Sequence, residues 1–117
     1  EVGLAQASTP MICTRAGVSR GALTHHYPSR AELVAAAIEH ATATALQGLD
    51  QALSSSAPGR QAVASFCGAI WRTTEGPLFA VALEFLVAAR HDPALWPALQ
   101  QGREALERQV AERLADV

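Results

Sequence analysis

The side chains with chemistry to offer gather near one end of the chain. Ser19, Arg20, Gly21, Ala22 and Thr24 fall within six positions, and His25, His26 and Arg30 follow closely. An arginine can present a bidentate fork to O6 and N7 of guanine, and Ala22 is small enough for close approach and contact with a thymine methyl. Small neighbours matter because a helix must sit deep in a groove about 12 Å wide before its side chains reach base edges. Ser8, Thr9 and Ser29 sit where helices begin, and there free N–H groups and the helix dipole favour a phosphate. Arg30 and the two histidines add charge beside them. This chemistry is non-covalent recognition of a duplex.

Catalysis and metal binding find no comparable set. There is no Gly-rich phosphate loop, no nucleophile elbow, no His-Glu-x-x-His and no Ser/His/Asp set that spacing nominates. No catalytic residue and no cofactor is therefore expected. His25 and His26 are adjacent and point to different helix faces, and no Cys, Asp or Glu completes a ligand spacing, so no metal is expected either.

The elements that position these residues read as helices throughout. Ala, Leu, Arg, Glu and Gln dominate, and hairpin turns and sustained alternation are missing. Ser8-Thr9-Pro10 combines a hydroxyl cap with a proline in the first turn, opening a short helix that ends near Arg15. Ala16-Gly17-Val18 makes a tight turn in which Gly17 can take a positive φ. Ser19 caps a second short helix through about His26, with Val18 and Leu23 holding it against Ile12. Ser29 and Glu32 form a capping box for a long helix with Val34, Ile38, Ala41, Ala45, Leu49 and Leu53 inward. Ser54-Ser55-Ser56-Ala57-Pro58-Gly59 is the clearest loop.

Beyond it, Val63, Phe66, Cys67, Ile70 and Trp71 form the apolar stripe of a helix ending before Gly76-Pro77. Leu78 to Arg90 is apolar nearly all round, which suits a helix buried on several sides. Asp92-Pro93 opens the last helix, with Leu95, Leu99, Leu106, Val110 and Leu114 inward. Arg103/Glu107, Glu104/Arg108 and Arg108/Glu112 form i,i+4 pairs on its outer side. Two short helices joined by a glycine turn and followed by a long capped helix are the layout of a helix-turn-helix.

With 117 residues, 50% apolar and 17% charged, the chain is one domain's worth of sequence with a packed core. Its net charge of −2 is unevenly spread. Residues 1–30 hold three arginines against one acid, +2, and residues 31–117 hold six against ten, −4. One end is suited to a polyanion and the rest is not. No apolar stretch reaches the ~18–20 residues of a membrane span, and no secretory signal is visible. Cys13 and Cys67 read as two buried thiols, so a cytoplasmic location is expected. The start, which lacks an initiator Met, suggests a fragment.

The run Ala16-Gly17-Val18-Ser19-Arg20-Gly21-Ala22-Leu23-Thr24-His25-His26-Tyr27-Pro28-Ser29-Arg30-Ala31-Glu32-Leu33 closely resembles the signature of the TetR/AcrR family of bacterial transcriptional regulators. In that family a stretch like AGVSRGALYHHFPSKEEL spans the turn, the recognition helix and the start of the fourth helix. Glu1 to Ala5 is similar to the end of the family's first helix, and Ala82-Leu83-Glu84-Phe85 through Leu95 is loosely similar to its sixth and seventh.

The resemblance implies a homodimeric repressor, occasionally an activator, on a pseudo-palindromic operator, with a small-molecule effector pocket. It also implies that most of the first helix and the usual last two helices lie outside this chain. It places Ser8 and Thr9 at phosphate-contact positions and Ser19, Arg20, Gly21 and Ala22 at base-reading ones. His25, His26 and Arg30 fall at or near backbone contacts, and Thr24 and Tyr27 complete the DNA-facing set. Thr24 stands where the family usually has Tyr, Arg30 where it has Lys, and Met11 where it often has an acid.

The expected architecture is all-α, with a helix-turn-helix region over 1–28 and a linker helix and partial effector-binding bundle over 29–117. Phe66, Ile70, Trp71, Phe79, Leu83, Phe85 and Trp96 are candidate pocket residues, although aromatic stripes at helical spacing more often fill a core. Arg72, Glu75, Glu84 and Arg90 are the polar groups placed to orient a ligand there. The alternative is a helical ligand-sensing or protein-interaction module without operator binding.

Overall fold

Six α-helices and one 3-10 turn make up the computed structural model, which describes residues 3–115, and no strand occurs among them. Local sequence signals account for most of the boundaries. Ser8 caps α1 (Thr9–Ala16), its Oγ accepting the Met11 N–H at 3.4 Å. Gly17 ends that helix at φ 69°, a left-handed geometry that glycine adopts without Cβ strain. Ser19 caps α2 (Arg20–His26), accepting the Ala22 N–H at 3.1 Å.

The reciprocal capping box is present. The Glu32 N–H donates to Ser29 Oγ at 3.1 Å and the Ser29 N–H to Glu32 Oε2 at 2.9 Å, opening α3 (Arg30–Ser54). At its far end the hydroxyls of Ser54, Ser55 and Ser56 donate to the carbonyls of Asp50, Gln51 and Ala52, adding side-chain partners to the last turn. α4 (Arg60–Glu75) and α5 (Pro77–His91) are separated by Gly76, and Pro77 occupies a first-turn position. Asp92 opens a 3-10 turn, Pro93–Leu95, before α6 (Trp96–Ala115) begins. The sequence expectation ran the last helix straight from Asp92. Pro97 has no N–H to bond the Pro93 carbonyl, so the α ladder starts later and the Trp96 N–H takes that carbonyl in 3-10 fashion.

The long helix α3 is the spine. Its Val34 and Ile38 join Phe85, Ala88 and Ala89 of α5 and Leu95 in one cluster, against which Leu4, Ala31, Ala98 and Leu99 pack. Further along, Leu46 and Leu49 join Phe66 and Ala69 of α4, with Ala52, Leu53, Leu106 and Val110 alongside. The radius of gyration is 16.5 Å, against about 13 Å for a compact domain of this length. The molecule is long, 50 × 29 × 24 Å, with two small cores in series.

This thinness explains where burial departs from the sequence pattern. On α4, Ala62, Phe66 and Ala69 are buried, whereas Val63, Cys67, Ile70 and Trp71 are exposed, Trp71 at 63%. The apolar arc of α4 is wider than α3 covers, and the alanines let the two backbones approach closely. On α5 only Phe85, Ala88 and Ala89 are buried, and Phe79, Val81, Leu83, Leu86 and Val87 are exposed. Cys13 is buried but Cys67 is not, so the expected pair of buried thiols is half right. Leu114 is exposed, and Leu46 is a core residue that the periodicity passed over. Of the three expected ion pairs on α6, only Arg103–Glu107 forms.

Candidate nucleic-acid interface

The α1–α2 unit is held by few contacts of its own. Cys13 is buried, Ile12 and Leu23 are half-buried, and Val18 remains 42% exposed. The Val18 N–H donates to the Cys13 carbonyl at 3.1 Å, which with Gly17 fixes the angle between the two helices. No residue of α2 is buried. Its first turn therefore stands free of the protein interior.

Ser19, Arg20, Gly21 and Ala22 are exposed side by side at the start of α2. A Cβ built on Gly21 meets nothing closer than Ser19 Oγ at 3.9 Å, so internal packing does not demand glycine there. Thr24 is also exposed, and its hydroxyl proton goes to the Arg20 carbonyl at 2.8 Å, leaving the oxygen as an acceptor. The rings of His25 and His26 meet edge-on at 5.5 Å, with Tyr27 beside His26, and all three are exposed. Ser8 is exposed and Thr9 half-buried at the start of α1. All of these positions lie on α1, α2 and their caps.

Charge sharpens the contrast between the two ends. Among the described residues, Arg15 and Arg20 are exposed and make no ion pair. On the bundle, Arg113 grips Asp50 with Nε to Oδ1 at 2.5 Å and Nη2 to Oδ2 at 2.9 Å. That bidentate hydrogen bond holds the Asp50 carboxyl below its ordinary range and raises the Arg113 guanidinium. Arg15, on the last turn of α1, is a basic neighbour of the interface that residue typing left aside. The charge split over residues 1–30 was the signal for it.

Arg30 differs from expectation. Its Nη1 donates to the Ala7 carbonyl at 2.7 Å and its Nη2 to the Leu4 carbonyl at 2.6 Å, so both ends of its fork are engaged within the chain. Glu84 is likewise engaged within the chain, its Oε2 accepting the Leu4 N–H at 3.2 Å. Sequence spacing gave no sign of either contact, since they bridge 26 and 80 positions.

Residues 1–37 match the family described as bacterial regulatory proteins, tetR family. Over these residues the chain belongs to the TetR family. Three relatives, each named an uncharacterized HTH-type transcriptional regulator, come from Mycobacterium bovis and two strains of Mycobacterium tuberculosis. Each is 34% identical over 100 residues, covering 86% of this chain and 51% of the relative. The chain thus spans about half the length of the curated relatives it matches. No solved structure matches it. The α1–α2 pair is the helix-turn-helix of this TetR-family chain, with α2 as its second helix.

The candidate pocket residues are divided between the two cores and the surface. Phe66 and Phe85 belong to the two separate cores, and Ile70, Trp71, Phe79, Leu83 and Trp96 are exposed. None of the seven lines the open groove of about 480 Å³ between α3 and α6. Thr42, Gln47, Gln101 and Gln109 line it beside Ile38 and Leu46, and the Asp50–Arg113 pair sits at one end. Its lining mixes alanines with these polar groups and carries no aromatic stripe, which is why hydropathy patterning passed over it. Among the described residues no group of three His, Cys, Asp or Glu gathers as a metal site, and no helix is long and apolar enough to cross a membrane.

Proposed function

We propose that this chain is the operator-binding and linker portion of a homodimeric repressor that acts in the cytoplasm by binding, without catalysis. Residues 1–28 form the DNA-binding region and residues 29–117 the linker helix and part of the effector-binding bundle. Arg20 reads guanine, Ala22 and Gly21 allow close approach, and Ser19, Thr24, His25, His26 and Tyr27 complete the surface. Ser8 and Thr9 approach phosphate from the start of α1. The observation that carries this reading is the free first turn of α2, with no buried residue and an Arg20 that makes no ion pair among the described residues, in a segment matched to the tetR family.

Release follows from geometry. Two recognition helices read a palindrome when they sit about 34–36 Å apart, one DNA turn. An effector seated between α3 and the later helices tilts α3 and changes that spacing. The α3–α6 groove supports this placement, since its 480 Å³ lies in the range of about 300–1,000 Å³ usual for small-molecule sites. The effector must bind the released state better than the DNA-bound one.

A gel shift of the full-length protein against the DNA upstream of its own gene tests the proposal. A shift that a small molecule abolishes supports both halves. A protein that binds no duplex but takes up small molecules favours the ligand-sensing alternative.

A further inference from the structure

The segment Gly3–Ala7 is gripped from both sides. The Ala7 N–H donates to the Gly3 carbonyl at 3.1 Å, closing one helical turn just before the Ser8 cap of α1. Arg30 meets the carbonyl end of that turn with hydrogen bonds of 2.6 and 2.7 Å to Leu4 and Ala7. A guanidinium there gives the Ala7 carbonyl a partner, adds a second donor to that of Leu4 and faces the negative end of the local dipole. Glu84, on α5, takes the Leu4 N–H at 3.2 Å. Leu4 also packs on the cluster of Val34, Ile38, Phe85, Ala88, Ala89 and Leu95. A Cβ at Gly3 would stand 2.6 Å from Glu84 Oε2, so glycine leaves the carboxylate its place.

These contacts bracket the helix-turn-helix. α1 and α2 lie between the gripped turn, which precedes Ser8, and Arg30, which is the first residue of α3. Arg30 locks the two flanks together across 23 residues, and Glu84 ties the same turn to the bundle. We propose that Arg30 and Glu84 are positioning residues that set the angle between the helix-turn-helix and the bundle. Arg30 acts through this turn and not by touching phosphate. The inference rests on the operator-binding reading above. Glu84 supports it chemically, because removing a carboxylate by itself eases repulsion from a phosphate, so a loss of affinity on its removal comes through the groups it places.

The test uses the full-length protein with Arg30→Ala, Glu84→Ala, Glu84→Gln and Gly3→Ala. It measures operator affinity across a salt series and hydrogen exchange at the Leu4 amide. Glu84→Ala and Gly3→Ala each lower affinity and speed Leu4 exchange by about tenfold, the scale of one charge-assisted hydrogen bond. Glu84→Gln keeps an accepting oxygen and restores both. Arg30→Ala lowers affinity with the salt slope unchanged. A slope reduced by about one per subunit makes Arg30 a phosphate contact and overturns its role here. Faster Leu4 exchange in Glu84→Ala with unchanged affinity overturns the positioning claim. If the unmodified protein binds no duplex, the operator reading fails by itself, and Leu4 exchange still decides on the clamp. Exchange unchanged by Glu84→Ala then refutes it.

Discussion

Gly21→Ala separates a residue kept for folding from one kept for a partner. The structure leaves room for the methyl, whose nearest neighbour is Ser19 Oγ at 3.9 Å. Alanine is the better helix former, by up to about 1 kcal/mol in a helix interior and less in a first turn. Folding stability should therefore rise or stay level, with the melting temperature moving up by roughly 2–4 °C at most in a chain the length of the relatives. At a groove-facing position the same methyl pushes α2 outward. The neighbouring Arg20 then loses the ~3 Å reach that a bidentate guanine contact needs, worth about 1–3 kcal/mol. Operator affinity should fall by roughly 5- to 150-fold while the melting temperature holds. Thermal denaturation and fluorescence anisotropy with a labelled operator measure the two effects. Unchanged affinity alongside raised stability would show that Gly21 does not face DNA.

Other outcomes follow from the scaffold. Ser29→Ala removes one half of the capping box and should cost about 0.5–2 kcal/mol by denaturant titration. Phe66→Ala empties the centre of the second core, and a loss of about 3–5 kcal/mol is expected in the same assay. Asp50→Asn tests the α3–α6 ion pair. Because the Asp50 carboxyl is held low in the fold, its stabilisation is present above the unfolded value near 4 and is lost as pH falls through the lower folded one. The side chain is 53% exposed, so the effect at neutral pH should be at most about 1 kcal/mol and vanish in strong acid. A difference that persists below pH 2 would assign it to something other than this pair.

How much the sequence disclosed depended on the range of the interaction. Caps and turns act over three or four residues, so Ser8, Gly17, Ser19 and the Ser29/Glu32 box were readable, and with them the frame of the helix-turn-helix. The free face of α2 was also legible, because so short a helix with Ser, Arg, Gly and Ala at its start has little to bury. Burial on α4 and α5 was not. Both helices carry more apolar surface than α3 covers, and periodicity does not reveal which of two adjacent stripes meets a neighbour. The grip on Leu4 joins positions 26 and 80 residues apart, and a groove of mixed alanines and polar groups, such as that between α3 and α6, has no aromatic stripe to mark it.

The most direct measurement is a binding-site selection with the full-length protein and its Arg20→Ala variant. Arg20 is exposed and makes no ion pair among the described residues, so its fork is available to a base. The variant should lose about 1–3 kcal/mol and its guanine preference at one position in each half-site, with the other positions unchanged. An identical sequence preference in both proteins would contradict base reading by the first turn of α2.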